Sequence, residues 1–401
     1  MDPHLPPEIW RKVLRFATFT ATSLNAVDWD PRWSYARSQA VTHLAWTYES
    51  TLSTKKAITL VSRHFRELSI EYLYEHVHLF STHNAMLLLV TILSHTTAIS
   101  SPDSAAKWIK HIFVKLRKNE DSDEMDAVLM QIFPHCQKLA GFGWESNGQL
   151  QDTNDDSELM ASIPLSITGL EWNRNSYGRS FNSLRNHTAL RHLRVSDLSS
   201  HSQDLHAVTM PFVTHLDVRA PMTCIAASQW GLPSISHLTT DWRRGQNFER
   251  LVSRDTLRSL YISPTTWTTL DAIPRILATM PKLETFSYDV AVNTLYPLHY
   301  SSTWLGVGSL ASLTRIHLIC RIFSYFGNSK RSFSAIRDFF FDHLQPLMTK
   351  HPPLTIGIVD AQLMFEHWNF RENGYHAAAK EKFFDDLSAS LSSTGVQITV
   401  M

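Results

Sequence analysis

His192, His215 and His237 recur at intervals of 23 and 22 residues, each one position before an apolar residue. Neutral imidazoles in such a series could ligate a metal or offer hydrogen-bonding rings to a partner. A straight column does not surround an ion, so the spacing favours contact with a partner over a metal. A second pair, His76-x-His78, would put both rings on one face of a strand, yet no further ligand stands at a zinc spacing, and it reads as surface. Gly306-Val307-Gly308 lacks the following glycine and the lysine of a phosphate loop. Cys136, Cys224 and Cys320 are isolated and form no CxxC pair, so they read as small core residues with reduced thiols. Nothing has the form of a nucleophile elbow. These readings lead to a non-catalytic chain without cofactor or metal.

The elements that must position the histidines follow one pattern: apolar, two spacers, apolar, one spacer, apolar. It occurs at Leu139-Phe142-Trp144, Ile167-Leu170-Trp172, Leu190-Leu193-Val195 and Val213-Leu216-Val218. It continues at Ile235-Leu238-Thr240, Leu257-Leu260-Ile262, Leu283-Phe286-Tyr288 and Leu313-Ile316-Leu318. Successive middle positions lie 28, 23, 23, 22, 22, 26 and 30 residues apart. This interval and pattern are those of leucine-rich repeats, each unit being one strand plus a helix or loop. Pro211, Pro233 and Pro281 each precede their segment's first apolar residue by two positions, and Pro352 precedes Leu354 likewise. A residue that stops helices, phased to the repeat, argues against coincidence.

Ile109-Ile112-Val114 reads as a first, irregular unit, preceded by a helix over 83–97. Leu354–Ile358 and Val396–Val400 read as the last strands, with amphipathic helices at Phe333–Met348 and Tyr375–Leu391 as a cap. The position that usually carries a buried Asn or Cys holds Leu198, Pro221 and Arg243, so no asparagine ladder is expected. The fold class is therefore an α/β solenoid, an irregular repeat arc with a parallel sheet. Thr240 is its weakest core position.

Formal net charge is zero and the pI about 7.4, so no global field attracts nucleic acid or a membrane surface. Its longest apolar run, 85–93, is far short of a bilayer span, and Met1-Asp2-Pro3-His4 does not open like a signal peptide. A cytoplasmic or nuclear location is expected.

Residues 3–80 differ in character. Leu5 to Leu14 starts a helix, with proline in its first turn and Ile9, Val13 and Leu14 on a shared face. A stretch at about 20–51 carries Trp29, Trp33 and Trp46. Thr54 then offers an N-cap to a helix with the stripe Ile58, Val61, Phe65, Leu68, and Tyr72-Leu73-Tyr74 closes the segment. Leu5-Pro6, Glu8-Ile9, Leu60-Val61-Ser62-Arg63 and Arg66-Glu67-Leu68 resemble an F-box, with Phe65 in the place of its tryptophan and Leu73-Tyr74 in that of its final pair. With its Trp-rich insertion the chain resembles the F-box proteins of mushroom-forming (basidiomycete) fungi. The resemblance implies two domains, an F-box-like one over 3–80 and a repeat domain over 81–401. It implies a Skp-type adaptor, and through it a cullin, held by Leu5, Pro6, Ile9, Val61 and Phe65. The chain would then be the substrate-recognition subunit of a ubiquitin ligase. The alternative is an interaction scaffold that binds no adaptor.

Side chains alternate along a strand, so the residues between apolar positions should form columns on the open side of the sheet. One column contains His192, His215, His237 and Arg315; the next contains Arg194, Asp217, Tyr261 and His317. These eight are the expected contacts to a target protein. Any such contact through neutral imidazoles should weaken in mild acid, because protonated rings on neighbouring strands repel. Acids dominate between 116 and 160, and their runs should share an edge open to a basic partner.

Overall fold

The computed structural model describes residues 5–18, 51–94, 105–117, 121–145, 156–174, 176–196, 208–218, 227, 229–242, 255–264, 277, 279–291, 312–321, 355–359, 382–389 and 397–400. The chain forms two compact units, Met1–Ser234 and Ile235–Met401.

The first unit opens with three helices. Helix α1 (Pro7–Ala17) starts at a proline, carries Glu8 in its first turn and Arg15 in its last, and ends where Thr18 turns its hydroxyl to the Leu14 carbonyl. Helix α2 covers residues 51–61, and α3 spans Arg63–Tyr74. The stripe Ile58, Val61, Phe65, Leu68 was expected on one helix capped by Thr54. Instead Thr54 lies inside α2, and the helix breaks at Ser62, whose extended backbone (φ −161°, ψ 167°) lets its hydroxyl accept from the Phe65 N–H. The break changes the helical phase, so Val61 turns outward while Leu68 stays in the core.

Only Glu75 separates α3 from strand β1 (His76–Leu79), which pairs in parallel with β2 (His111–Lys115). The sheet thus begins one strand earlier than Ile109-Ile112-Val114 suggests. From β2 the pairing continues through β3 (Gly141–Glu145), β4 (Gly169–Asn173), β5 (His192–Val195) and β6 (His215–Val218), every pair parallel and in sequence order. Helices α4 (Thr82–Ser94), α5 (Ser122–Ile132) and α6 (Ser157–Ser162) connect the early strands and pack successively on one another; a 3-10 segment, Gly178–Asn186, extends the series. The second unit repeats the scheme with β7 (His237–Trp242), β8 (Ser259–Pro264), β9 (Thr285–Ala291), β10 (Arg315–Arg321), β11 (Thr355–Val359) and β12 (Gln397–Val400). Residues 382–389 form a helix, α7. The expected helix at 333–348 lies outside the described residues.

Each repeat position named above is buried, Thr240 included, and β7 pairs with β8 without interruption. Strands β2 to β6 and β8 to β10 are also anchored one residue upstream of their start. Thr168 N–H donates to the Ala140 carbonyl at 2.8 Å, Arg191 N–H to Thr168 at 2.9 Å, and Thr214 N–H to Arg191 at 2.9 Å. The same bond recurs in the second unit, from Arg258 to Ser236 and from Glu284 to Arg258, both at 2.8 Å. This main-chain ladder satisfies the backbone where the chain turns into these strands. Together these features make the fold a leucine-rich-repeat α/β solenoid. Among the described residues, no helix is long and apolar enough to cross a membrane.

Candidate protein-interaction surfaces

Helix α1 carries two apolar faces. Trp10 and Leu14 turn inward with Ile58, Phe65, Leu68 and Tyr72; the Trp10 and Phe65 rings meet edge-on at 5.0 Å. Ile9, Val13 and Phe16, spaced four and three residues apart, form the other face and are 40%, 47% and 88% exposed. Leu5 precedes them, also exposed, and Leu60 and Val61 protrude at the end of α2. A unit this small buries one apolar stripe and leaves a second uncovered, which marks a contact surface. Of the five residues expected at an adaptor, Leu5, Pro6, Ile9 and Val61 are exposed. Phe65 is the exception: it is half-buried against Trp10 and supports the face from beneath, because the break at Ser62 turns it inward. Val13 and Phe16 belong to the face as well. Phe16 lies beyond the Leu5 to Leu14 pattern that marks the helix in the sequence, in the last turn of α1.

Within each unit the sheet columns have the expected registers but not the expected openness. His192 pairs with His215 in register, their rings 4.4 Å apart, yet both are only 7% exposed. Asp217 and Tyr261 are buried, Arg194 and His317 are half-buried, and Arg315 is exposed. His237 belongs to the second unit, is mostly shielded, and has its pKa lowered by burial, against the pull of Glu284. Alternation along a strand fixes which side a residue takes; it does not fix whether that side is uncovered.

Within the columns the polar groups pair across strands. Arg194 on β5 reaches Glu171 on β4 at 3.8 Å and Asp217 on β6 at 3.5 Å. Lys115 and Glu145 pair at 3.3 Å, and the Tyr261 hydroxyl donates to Asp289 at 2.6 Å. Followed upstream, the first column reads His215, His192, Gly169, Gly141, His111, His76, so two glycines separate two histidine pairs. His76 and His111 stack almost parallel, with centroids 4.6 Å apart. The signal in the sequence is His76 and His111, which stand at equivalent positions of β1 and β2.

Two acids of the acidic edge find their partner within the chain, while Asp121, Asp123, Glu124 and Glu158 are exposed. Arg174, buried, lies 2.7 Å from Asp126, 3.3 Å from Asp156 and 3.9 Å from Asp123, with its guanidinium 4.8 Å from the Trp144 ring centre. Burial lifts Asp126 to about 7 even though Arg174 opposes that shift. Ser176, itself buried, donates to Asp156 and accepts from the Trp172 indole at 2.7 Å. Asp126 and Asp156 are therefore not open to an external basic partner; they fasten α5 and α6 to the turn after β4. Glu120, Asp152 and Asp155 lie outside the described residues.

No family model matches the chain, and no curated protein matches it. Solved structures to which it is similar include the leucine-rich-repeat-containing protein LegL7 of Legionella pneumophila, at 13% identity, covering 78% of this chain and 98% of that one with a TM-score of 0.46. An internalin of Listeria monocytogenes is similar at 10% identity, covering 57% of this chain and 84% of that one with a TM-score of 0.25.

Proposed function

We propose that the chain is a non-catalytic substrate receptor of a Skp–cullin–F-box ubiquitin ligase. The exposed face of α1 and the end of α2 would bind a Skp-type adaptor, and the repeat solenoid would hold a target protein. One observation carries the reading. The three-helix segment whose residues resemble an F-box leaves Leu5, Ile9, Val13, Phe16, Leu60 and Val61 exposed while packing its other side into its own core. An apolar surface of that kind, on helices, suits a helical protein partner. Within this reading the protein works in the cytoplasm or nucleus, where adaptor and cullin would be met.

The target surface is a more open matter of chemistry. Because His192, His215, Asp217 and Tyr261 are buried and Arg194 is held between Glu171 and Asp217, the accessible groups in the two columns are chiefly Arg315 and the half-buried His317. These two favour a target with acidic or hydrogen-bond-accepting groups.

Co-purification of the full chain with a Skp-type adaptor tests the proposal. Capture is expected for the native chain and for Phe212→Ala, an exposed position outside the face, and its loss is expected for Leu5→Ala with Pro6→Ala and for Ile9→Glu. Failure of the correctly folded native chain to bind any adaptor would replace this reading with the ligase-independent scaffold.

A further inference from the structure

Helix α4 differs from the helices that follow it. It has no acid, lysine or arginine in its 13 residues, and Ala85, Leu88, Leu89 and Ile92 bury its inward face. Its outward face is apolar as well: Met86, Leu87, Val90 and Leu93 are 45%, 53%, 58% and 41% exposed. Met86, Val90 and Leu93 stand four and three residues apart, which lines them up as one stripe along a helix about 20 Å long. The outward positions of α5 hold Asp123, Glu124, Ala127 and Gln131, the polar surface that a solenoid helix ordinarily shows to water.

The packing decides which charges border the stripe. Helices α4, α5 and α6 pack in that order. Helix α5 sends Asp126 toward α6, where it and Asp156, the residue that precedes α6, meet Arg174. Glu124 stands two residues from Asp126, about 160° around the helix, so it lies on the flank turned to α4, and it is exposed. Asp121 and Asp123 are exposed at the same end of α5, and Glu158 is exposed on α6. None of the three helices contains a lysine or an arginine. Lys107, on the 3-10 segment that touches α4, is half-buried over the Trp108 ring at 4.6 Å.

We propose that this surface docks a basic amphipathic helix of a partner protein. The apolar side of that helix lies along Met86, Leu87, Val90 and Leu93, and its lysines or arginines face Glu124, Asp123 and Glu158. Charge complementarity selects this occupant. A second copy of the same surface would set acids against acids, and anionic lipid would be repelled by them. The surface lies on other helices than the α1 face, so the inference does not rest on adaptor binding.

Two synthetic peptides of about 18 residues, long enough to cover α4 as a helix, test it by fluorescence anisotropy with the full chain at about 0.15 M salt. One carries leucines on one face flanked by lysines; its twin has glutamate in place of every lysine. Saturable binding is expected for the lysine peptide, and binding at least about tenfold weaker for the twin. Leu87→Gln with Val90→Gln changes exposed positions only and should weaken the lysine peptide about tenfold. Glu124→Lys with Glu158→Lys should abolish the preference for lysine. Ile9→Glu, on the α1 face, should leave binding unchanged. No binding of the lysine peptide, equal binding of the twins, or a loss caused by Ile9→Glu and not by the α4 pair would overturn the proposal. So would self-association of the native chain, or binding to anionic lipid vesicles, that the α4 pair abolishes.

Discussion

At Gly143 a side chain of any size is excluded by a neighbour on the adjacent strand. A Cβ there would come within 2.4 Å of the Phe113 ring, which lies across the glycine from β2. Gly143→Ala should therefore cost about 1–3 kcal/mol by overpacking, and adding Phe113→Ala should recover part of that loss. Chemical denaturation of the two single variants and the double variant checks the coupling; additive effects would mean that the ring moves aside freely. Arg174 makes the opposite case, a residue whose removal leaves charges behind. Arg174→Ala leaves Asp126 and buried Asp156 without their cation, although Ser176 still donates to Asp156, and should cost about 3–5 kcal/mol, whereas the exposed Arg117→Ala should fall within about 0.5 kcal/mol of the native chain. Arg174 was legible as part of an arginine-rich stretch, and Asp126 and Asp156 as part of an acidic one. That they meet was not legible, because charge composition carries no information about which loops the helices bring together.

Among the elements, the repeat strands were readable because three apolar positions at fixed spacing all serve one core, and every one of them is buried. Strand β1 escaped because only Val77 and Leu79 carry apolar chains, alternating with His76 and His78, in a segment read as the end of the helical module. The division between α2 and α3 escaped for a different reason. Three- and four-residue spacing continues across Ser62 as though no break existed, and only the capping hydroxyl marks it. Ser62→Ala should lower stability by about 1 kcal/mol, the usual worth of an N-cap, while Ser62→Asn or Ser62→Asp should keep most of it. Thermal melts of the three variants decide the matter. Equal losses in all three would mean that the hydroxyl is not what holds the start of α3.

On the scale of the whole molecule, the two ends of the first unit present different surfaces. Its helices leave an apolar face uncovered, while its sheet columns are closed by cross-strand ion pairs and by burial. The sequence conveyed the first through a family resemblance and the repeat through self-similarity. It could not convey the second, since side-chain alternation is local and burial of a sheet face is set by everything packed over it. The functional account rests on the apolar face. Its most direct test is a hydrogen-exchange footprint of the full chain with and without a purified Skp-type adaptor. The account predicts added protection concentrated in residues 7–17 and at the α2–α3 junction around 60–65, abolished by Ile9→Glu, with β4 to β6 unchanged. Adaptor binding that protects the strands and leaves α1 unaltered, or no protection anywhere at saturating adaptor, would contradict it.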